Sequence, residues 1–97
     1  MNRLIKGQTA LRIKLCTNVS LSSVTSARIK YIKSNGITGY WAAELESATD
    51  SIYYDILSSN DLDVAGIWKM WSYLIFTNGN IATGKTVEFL VVDEGET

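Results

Sequence analysis

The sequence predicts an all-β protein, an antiparallel β-sandwich. Three observations predict it. Apolar residues recur with period two along most of the chain, Asn-Gly pairs separate the alternating segments, and no stretch carries a convincing helical repeat. With 97 residues the chain makes one domain, with a single thin core and no deep cleft.

The expected elements run as follows. Residues 1–7 are basic, lack the apolar centre of a secretory leader, and read as a frayed tail. The segment "ALRIKLC" sets Leu11, Ile13 and Leu15 on one face against Arg12 and Lys14. The segment "SARIKYIK" sets Ala27, Ile29 and Tyr31 against Arg28, Lys30 and Lys33. Ser34-Asn35-Gly36 then reads as a hairpin turn. In "GYWAAELE", Trp41, Ala43 and Leu45 face inward and Tyr40, Glu44 and Glu46 outward. After a turn at 47–50, "SIYYDIL" directs Ile52, Tyr54 and Ile56 inward, with Tyr53 and Asp55 outward. The connection at 58–66 is anchored by Leu62 in a short helical turn. "IWKMWSYLIFT" is the longest strand, "NGN" at 78–80 is a second hairpin turn, and "KTVEFLVV" closes the fold with Val87, Phe89 and Val91 on one face. Residues 93–97 read as a second tail.

One stretch invites a different reading. "GNIATGKT", residues 79–86, fits the phosphate-loop pattern Gly-x-x-x-x-Gly-Lys-Ser/Thr, and "FLVVDE" after it imitates a magnesium-holding strand. A phosphate loop needs a helix whose N-terminal N–H groups point at the phosphates. Here the residues after Thr86 alternate as β-branched and aromatic, so a strand is expected, "GNIATGK" is a hairpin loop, and no nucleotide is implied.

Composition excludes most chemistry. There is no histidine, which removes the commonest general base and metal ligand, and no serine or threonine has a base beside it. Glu44 and Glu46 lie on one solvated strand face. Asn60, Asp61 and Asp63 lack the ligand number and spacing of a calcium loop. Cys16, the single cysteine, reads as a small residue at a strand end. No enzyme, cofactor or metal is therefore expected. No apolar run approaches the ~20 residues that span a bilayer, so no membrane partner is expected.

Charge is distributed unevenly. Seven of the nine basic residues lie in the first 33 positions, where there is no acid, and the remainder carries ten acids against Lys69 and Lys85. Either basic strands sit beside acidic ones in one sheet, or the molecule has opposite charged faces suited to head-to-tail contacts. With a pI near 5.2 and few aromatics among the basic strands, nucleic acid is not the expected partner.

The aromatic residues point to an interaction surface. In "IWKMWSYLIF" both faces are apolar: Trp68, Met70, Leu74 and Phe76 are assigned inward, and Ile67, Trp71, Tyr73 and Ile75 outward. If the turn at 78–80 joins this strand to the last one, Trp71, Tyr73, Ile75, Leu90 and Val92 form one outward apolar patch. Such patches mark interfaces, and Trp and Tyr are favoured anchors. The other reading is that loops or the N-terminal segment cover this face within the monomer. A carbohydrate platform on Trp71 and Tyr73 is a variant of the interface reading.

The order of these signals resembles a family of small phage and prophage domains, grouped with the N-terminal domain of baseplate upper proteins. "SARIKYIKSNG" is similar to that family's strand ending in a Pro-Asp/Asn-Gly turn, with Ser34 where proline is usual. "IYYDI" followed by "NDLDVAGIWKMWSYL" resembles its aromatic strand and D-L-D-x-x-G-x-W/Y corner, and "TVEFLVV" its final strand; the match covers about residues 9–92. The resemblance implies an immunoglobulin-like antiparallel β-sandwich of six to seven strands. It also implies a non-enzymatic structural protein that joins a tail, baseplate or neck assembly. Partners would be other virion or assembly proteins or further copies of the chain, in the virion or in the host bacterial cytoplasm during assembly. Gly66 and Trp68 would be the corner glycine and its buried aromatic, with Leu62 and Phe89 in the core. The family pattern supplies no catalytic residue.

Overall fold

A computed structural model describes residues 2–17, 19–58 and 60–93. Among them are eight strands: β1 (Asn2–Ile5), β2 (Leu11–Cys16), β3 (Val24–Ile32), β4 (Thr38–Glu46), β5 (Ser51–Ile56), β6 (Gly66–Phe76), β7 (Ile81–Thr83) and β8 (Val87–Val92). A single 3-10 turn, Ser47–Thr49, joins β4 to β5. The strands follow the order β1-β8-β6-β3-β4-β5-β2, with β7 beside β6. No helix among the described residues is long and apolar enough to cross a membrane.

The sheet curls because β4 serves two layers. Its first part pairs with β3 from Thr38 to Ala43, and Glu44, Leu45 and Glu46 then pair with β5. One layer therefore holds β1, β8, β6, β7, β3 and the start of β4; the other holds the end of β4, β5 and β2. Between them lie Ile29, Trp68, Met70, Leu74, Phe89 and Val91 from the first layer and Ile13, Leu15, Ile52 and Ile56 from the second. Each such side chain stabilises the fold by ~1.5–3 kcal/mol on full burial. The predicted inward faces of β2, β3, β5, β6 and β8 are the buried ones. On β4 the pattern fails at Leu45, which is 38% exposed, because the strand is leaving the first layer there.

Two strands were not expected, so the count is eight and not six to seven. Residues 2–5 do not fray. They form β1, which lies parallel to β8 with Leu4 opposite Val91, and Leu4 is buried. Beyond the strand, the Lys6 N–H donates to the Val92 carbonyl (2.8 Å) and the Gly7 N–H to the Leu62 carbonyl (2.9 Å). At the other tail, Asp93 lies 3.9 Å from the Lys6 ammonium, and residues 94–97 fall outside the described ones. The second unexpected strand is β7. The turn at 78–80 closes as predicted, with the Phe76 N–H on the Asn80 carbonyl at 2.9 Å and Gly79 at φ 86°. Its return strand, however, is Ile81–Thr83 and not the closing strand. "GNIATGK" is thus a turn, a short strand and a kink before β8, and not one loop.

The corner after Leu62 is built on buried side chains. Leu62 and Trp68 are fully buried, and Phe89 packs in the same core. The Trp68 indole N–H donates to the Val64 carbonyl at 2.9 Å, so burying the ring leaves no orphan donor. Gly66 sits at φ 120°, a conformation that L side chains rarely adopt, and the Ser34 hydroxyl donates to the neighbouring Ala65 carbonyl. Tyr31 and Trp41 flank Trp68 at ring-centroid distances of 5.4 and 6.2 Å, and Tyr54 stacks on Trp41 at 5.0 Å.

Candidate interaction face

The outward side of the first layer carries the residues singled out for contact. Strand register sets them in cross-strand rows. Lys30 on β3 stands between Tyr40 on β4 and Trp71 on β6; Arg28 stands between Ala42 and Tyr73, with Thr83 beyond. Ile75 pairs with Ile81. At the far end Ile67 faces Leu90, Leu90 faces Arg3, and Val92 faces Ile5.

The single predicted patch is therefore two. β8 pairs with the start of β6, from Gly66 to Met70, while β7 takes the stretch from Tyr73 to Ile75. Leu90 and Val92 lie beside Ile67 and Ile5, and Ile67 is 46% exposed. Trp71, Tyr73 and Ile75 lie further along β6, and Lys69, opposite Glu88, occupies the position between Ile67 and Trp71. All five predicted residues are half-buried, and none is enclosed in the core.

Around Trp71 the face is cationic as well as aromatic. The Lys30 ammonium lies 3.7 Å from the centre of the Tyr73 ring, and the Arg28 guanidinium carbon 4.6 Å from that of Tyr40. These contacts cross the rows diagonally, each cation reaching the tyrosine one row away. Arg28, Lys30 and Tyr40 were not singled out as a site from the sequence. Their joint placement needs β3 to lie between β4 and β6, an order that alternation along one strand does not set.

The outer face of the second layer resolves the charge question differently. Arg12 sits opposite Asp55, with Nε 2.7 Å from a carboxylate oxygen, and the Lys14 ammonium is 2.7 Å from Glu46. The hydrogen bond from Arg12 holds the Asp55 carboxyl below its ordinary pKa, and that from Lys14 does the same for Glu46. Asp55 in turn raises the pKa of Arg12. Basic and acidic strands lie side by side in this layer, whereas Arg28 and Lys30 in the first layer have no ion pair among the described residues.

The other acids have structural attachments. Asp63 lies 2.9 Å from the Lys33 ammonium, tying the corner to the end of β3. Asp61 accepts the Tyr54 hydroxyl at 3.2 Å. Burial, with the negative charge of Asp61, pushes the Tyr54 phenol above its ordinary pKa. Among the described residues no three of Cys, Asp and Glu group as metal ligands. Cys16 ends β2 and is exposed. After Thr86 comes β8, antiparallel to β6, where a phosphate loop would place a helix.

The fold is similar to that of CopC from Methylosinus trichosporium OB3b, with a TM-score of 0.61 at 15% identity, over 99% of this chain and 87% of that one. It is also similar to part of a putative glycoside hydrolase from Bacteroides vulgatus ATCC 8482, with a TM-score of 0.60 at 10% identity. There 99% of this chain aligns with 17% of the larger one. At such identities the likeness concerns the fold alone. No protein-family model and no curated protein matches the sequence.

Proposed function

We propose that this chain is a non-enzymatic structural module of a phage or prophage tail, baseplate or neck. In this reading it is built as an immunoglobulin-like sandwich and assembles with further copies of itself through the outer apolar strip of Ile5, Ile67, Leu90 and Val92. The observation that carries the contact surface is the direct pairing of Ile67 with Leu90 on the outside of the first layer, with Ile67 46% exposed. Both side chains are already half-buried, so covering the remainder contributes about half of the ~1.5–3 kcal/mol of a complete burial for each. The passage of β4 between two layers supports the sandwich description. The positive φ of Gly66 and the burial of Trp68 support the reading of a glycine corner followed by a core aromatic.

Hydroxyl-radical footprinting tests the contact. As protein concentration rises, oxidation of Ile67, Leu90 and Val92 falls, while Ile81, 56% exposed on β7, keeps its reactivity. Equal reactivity of the strip at all concentrations would overturn self-assembly through it.

A further inference from the structure

We propose that the face around Trp71 is a binding site for an anionic polysaccharide, a chain of sugars bearing carboxylate or sulfate groups. The site is separate from the apolar strip and does not rest on the assembly reading.

Three observations carry it. Trp71 stands between two open depressions on the sheet, one lined by Lys30, Thr38, Gly39 and Tyr40, the other by Ile32, Lys69, Thr83, Gly84 and Thr86. An indole between shallow, hydroxyl-lined hollows suits the flat apolar side of a sugar ring with its hydroxyls directed to either side. Next, Arg28 and Lys30 have no ion pair among the described residues, although Arg12, Lys14 and Lys33 each have one. Lys69, which lines one of the hollows, also has no ion pair among the described residues, so the face leaves three positive charges for a ligand to neutralise. Its acids are Glu44, exposed at the end of β4, and Glu88 opposite Lys69, and neither lies within ion-pair distance of Arg28 or Lys30. Finally, Arg28 rests on Tyr40 and Lys30 on Tyr73. A tyrosine ring beneath each charge holds it in place before binding, so less side-chain freedom is lost when an anion arrives.

The same contacts argue against other anions. Arg28 and Lys30 each occupy one side of a tyrosine ring, and among the described residues Trp71 is the ring of this face with no cation over it, whereas single-stranded nucleic acid uses successive stacking platforms in a basic groove. A sugar chain with spaced anionic groups needs only one stacking ring and local cations. An acidic protein surface is the remaining occupant, and the test separates it.

Fluorescence titration reads the site directly, because Trp41 and Trp68 are buried and Trp71 is the half-exposed indole. The probes are oligogalacturonate, heparin and hyaluronan fragments, a neutral glucan oligomer, oligothymidylate and polyglutamate. The proposal predicts a saturable change with at least one anionic glycan and none with the neutral one, weakening as salt rises. Lys30→Met and Arg28→Met keep the aliphatic packing over the tyrosines and remove the charge. Each should weaken binding about tenfold, as loss of a charge-assisted contact does. Trp71→Phe should abolish the signal, with loss of binding confirmed by calorimetry. No binding by any anionic glycan would overturn the proposal. So would equal binding of the neutral glucan, insensitivity to both methionine variants, or binding of oligothymidylate or polyglutamate alone.

Discussion

Gly84 lies against Ser72: a Cβ on the glycine would fall on the Ser72 hydroxyl oxygen. The Gly84 N–H also donates to the Ser72 carbonyl at 2.9 Å, fixing the kink between β7 and β8 on the centre of β6. The glycine that gives "GNIATGKT" its phosphate-loop appearance is there for this close approach to a buried serine. Gly84→Ala should destabilise the protein by about 1–3 kcal/mol, as overpacking does. Ser72→Ala removes the oxygen and leaves the nearest carbon at 3.4 Å, so the double variant should regain most of the loss. Thermal melts of the four proteins in a double-mutant cycle measure the coupling, and additive effects would refute the contact.

At the corner, Gly66 combines φ 120° with a position where a Cβ would meet the Ser34 side chain at 2.5 Å. Gly66→Ala is therefore strained by backbone and by contact, and should cost about 1–3 kcal/mol or more. Here Ser34→Gly should give only partial relief, since the backbone strain remains. Full recovery in denaturant unfolding would show that the φ angle carries no cost.

The lowered carboxyls of Asp55 and Glu46 set an acid limb. Their ion pairs stabilise the fold above the unfolded carboxylate range, about pH 4. That stability is lost as pH falls through the depressed folded values. Both pairs are exposed, so the effect should be small and should shrink in high salt. The melting temperature of Asp55→Asn should change less than that of wild type between neutral and acid pH. A wild-type acid limb that is unchanged in this variant would refute the assignment.

Tyr54 acts at the opposite end of the scale. Its folded pKa is raised, so the neutral phenol's contribution is fully present below the unfolded value, about pH 10. It is lost as pH rises through the folded value. Tyr54→Phe should cost about 0.5–1.5 kcal/mol at neutral pH, the value of one hydrogen bond, and should weaken the alkaline loss of stability. An ultraviolet titration showing all five tyrosines ionising at the ordinary value would contradict it.

The sequence makes legible those parts that are local. Alternation in β2, β3, β5, β6 and β8 shows which residues face inward, because one face of each strand meets the core. Gly36 and Gly79 mark their turns through positive φ. β1 and β7 escape detection because four and three residues are too few to show a period, and both are fixed by partners distant in sequence or by a kink. Leu45 is misassigned because β4 changes layers within its own length. The outer patch divides for the same kind of reason. Which part of β6 meets β8 depends on where the chain kinks, at Gly84, and a glycine's need for close approach is not visible until its neighbour is known.

The assembly proposal is tested most directly by light scattering at two concentrations, comparing wild type with Leu90→Glu and with Ile81→Glu. An oligomer whose mass rises with concentration is expected, reduced to monomer by Leu90→Glu and unaffected by Ile81→Glu. A wild type that is monomeric at both concentrations, or an oligomer that Leu90→Glu leaves intact, would contradict it.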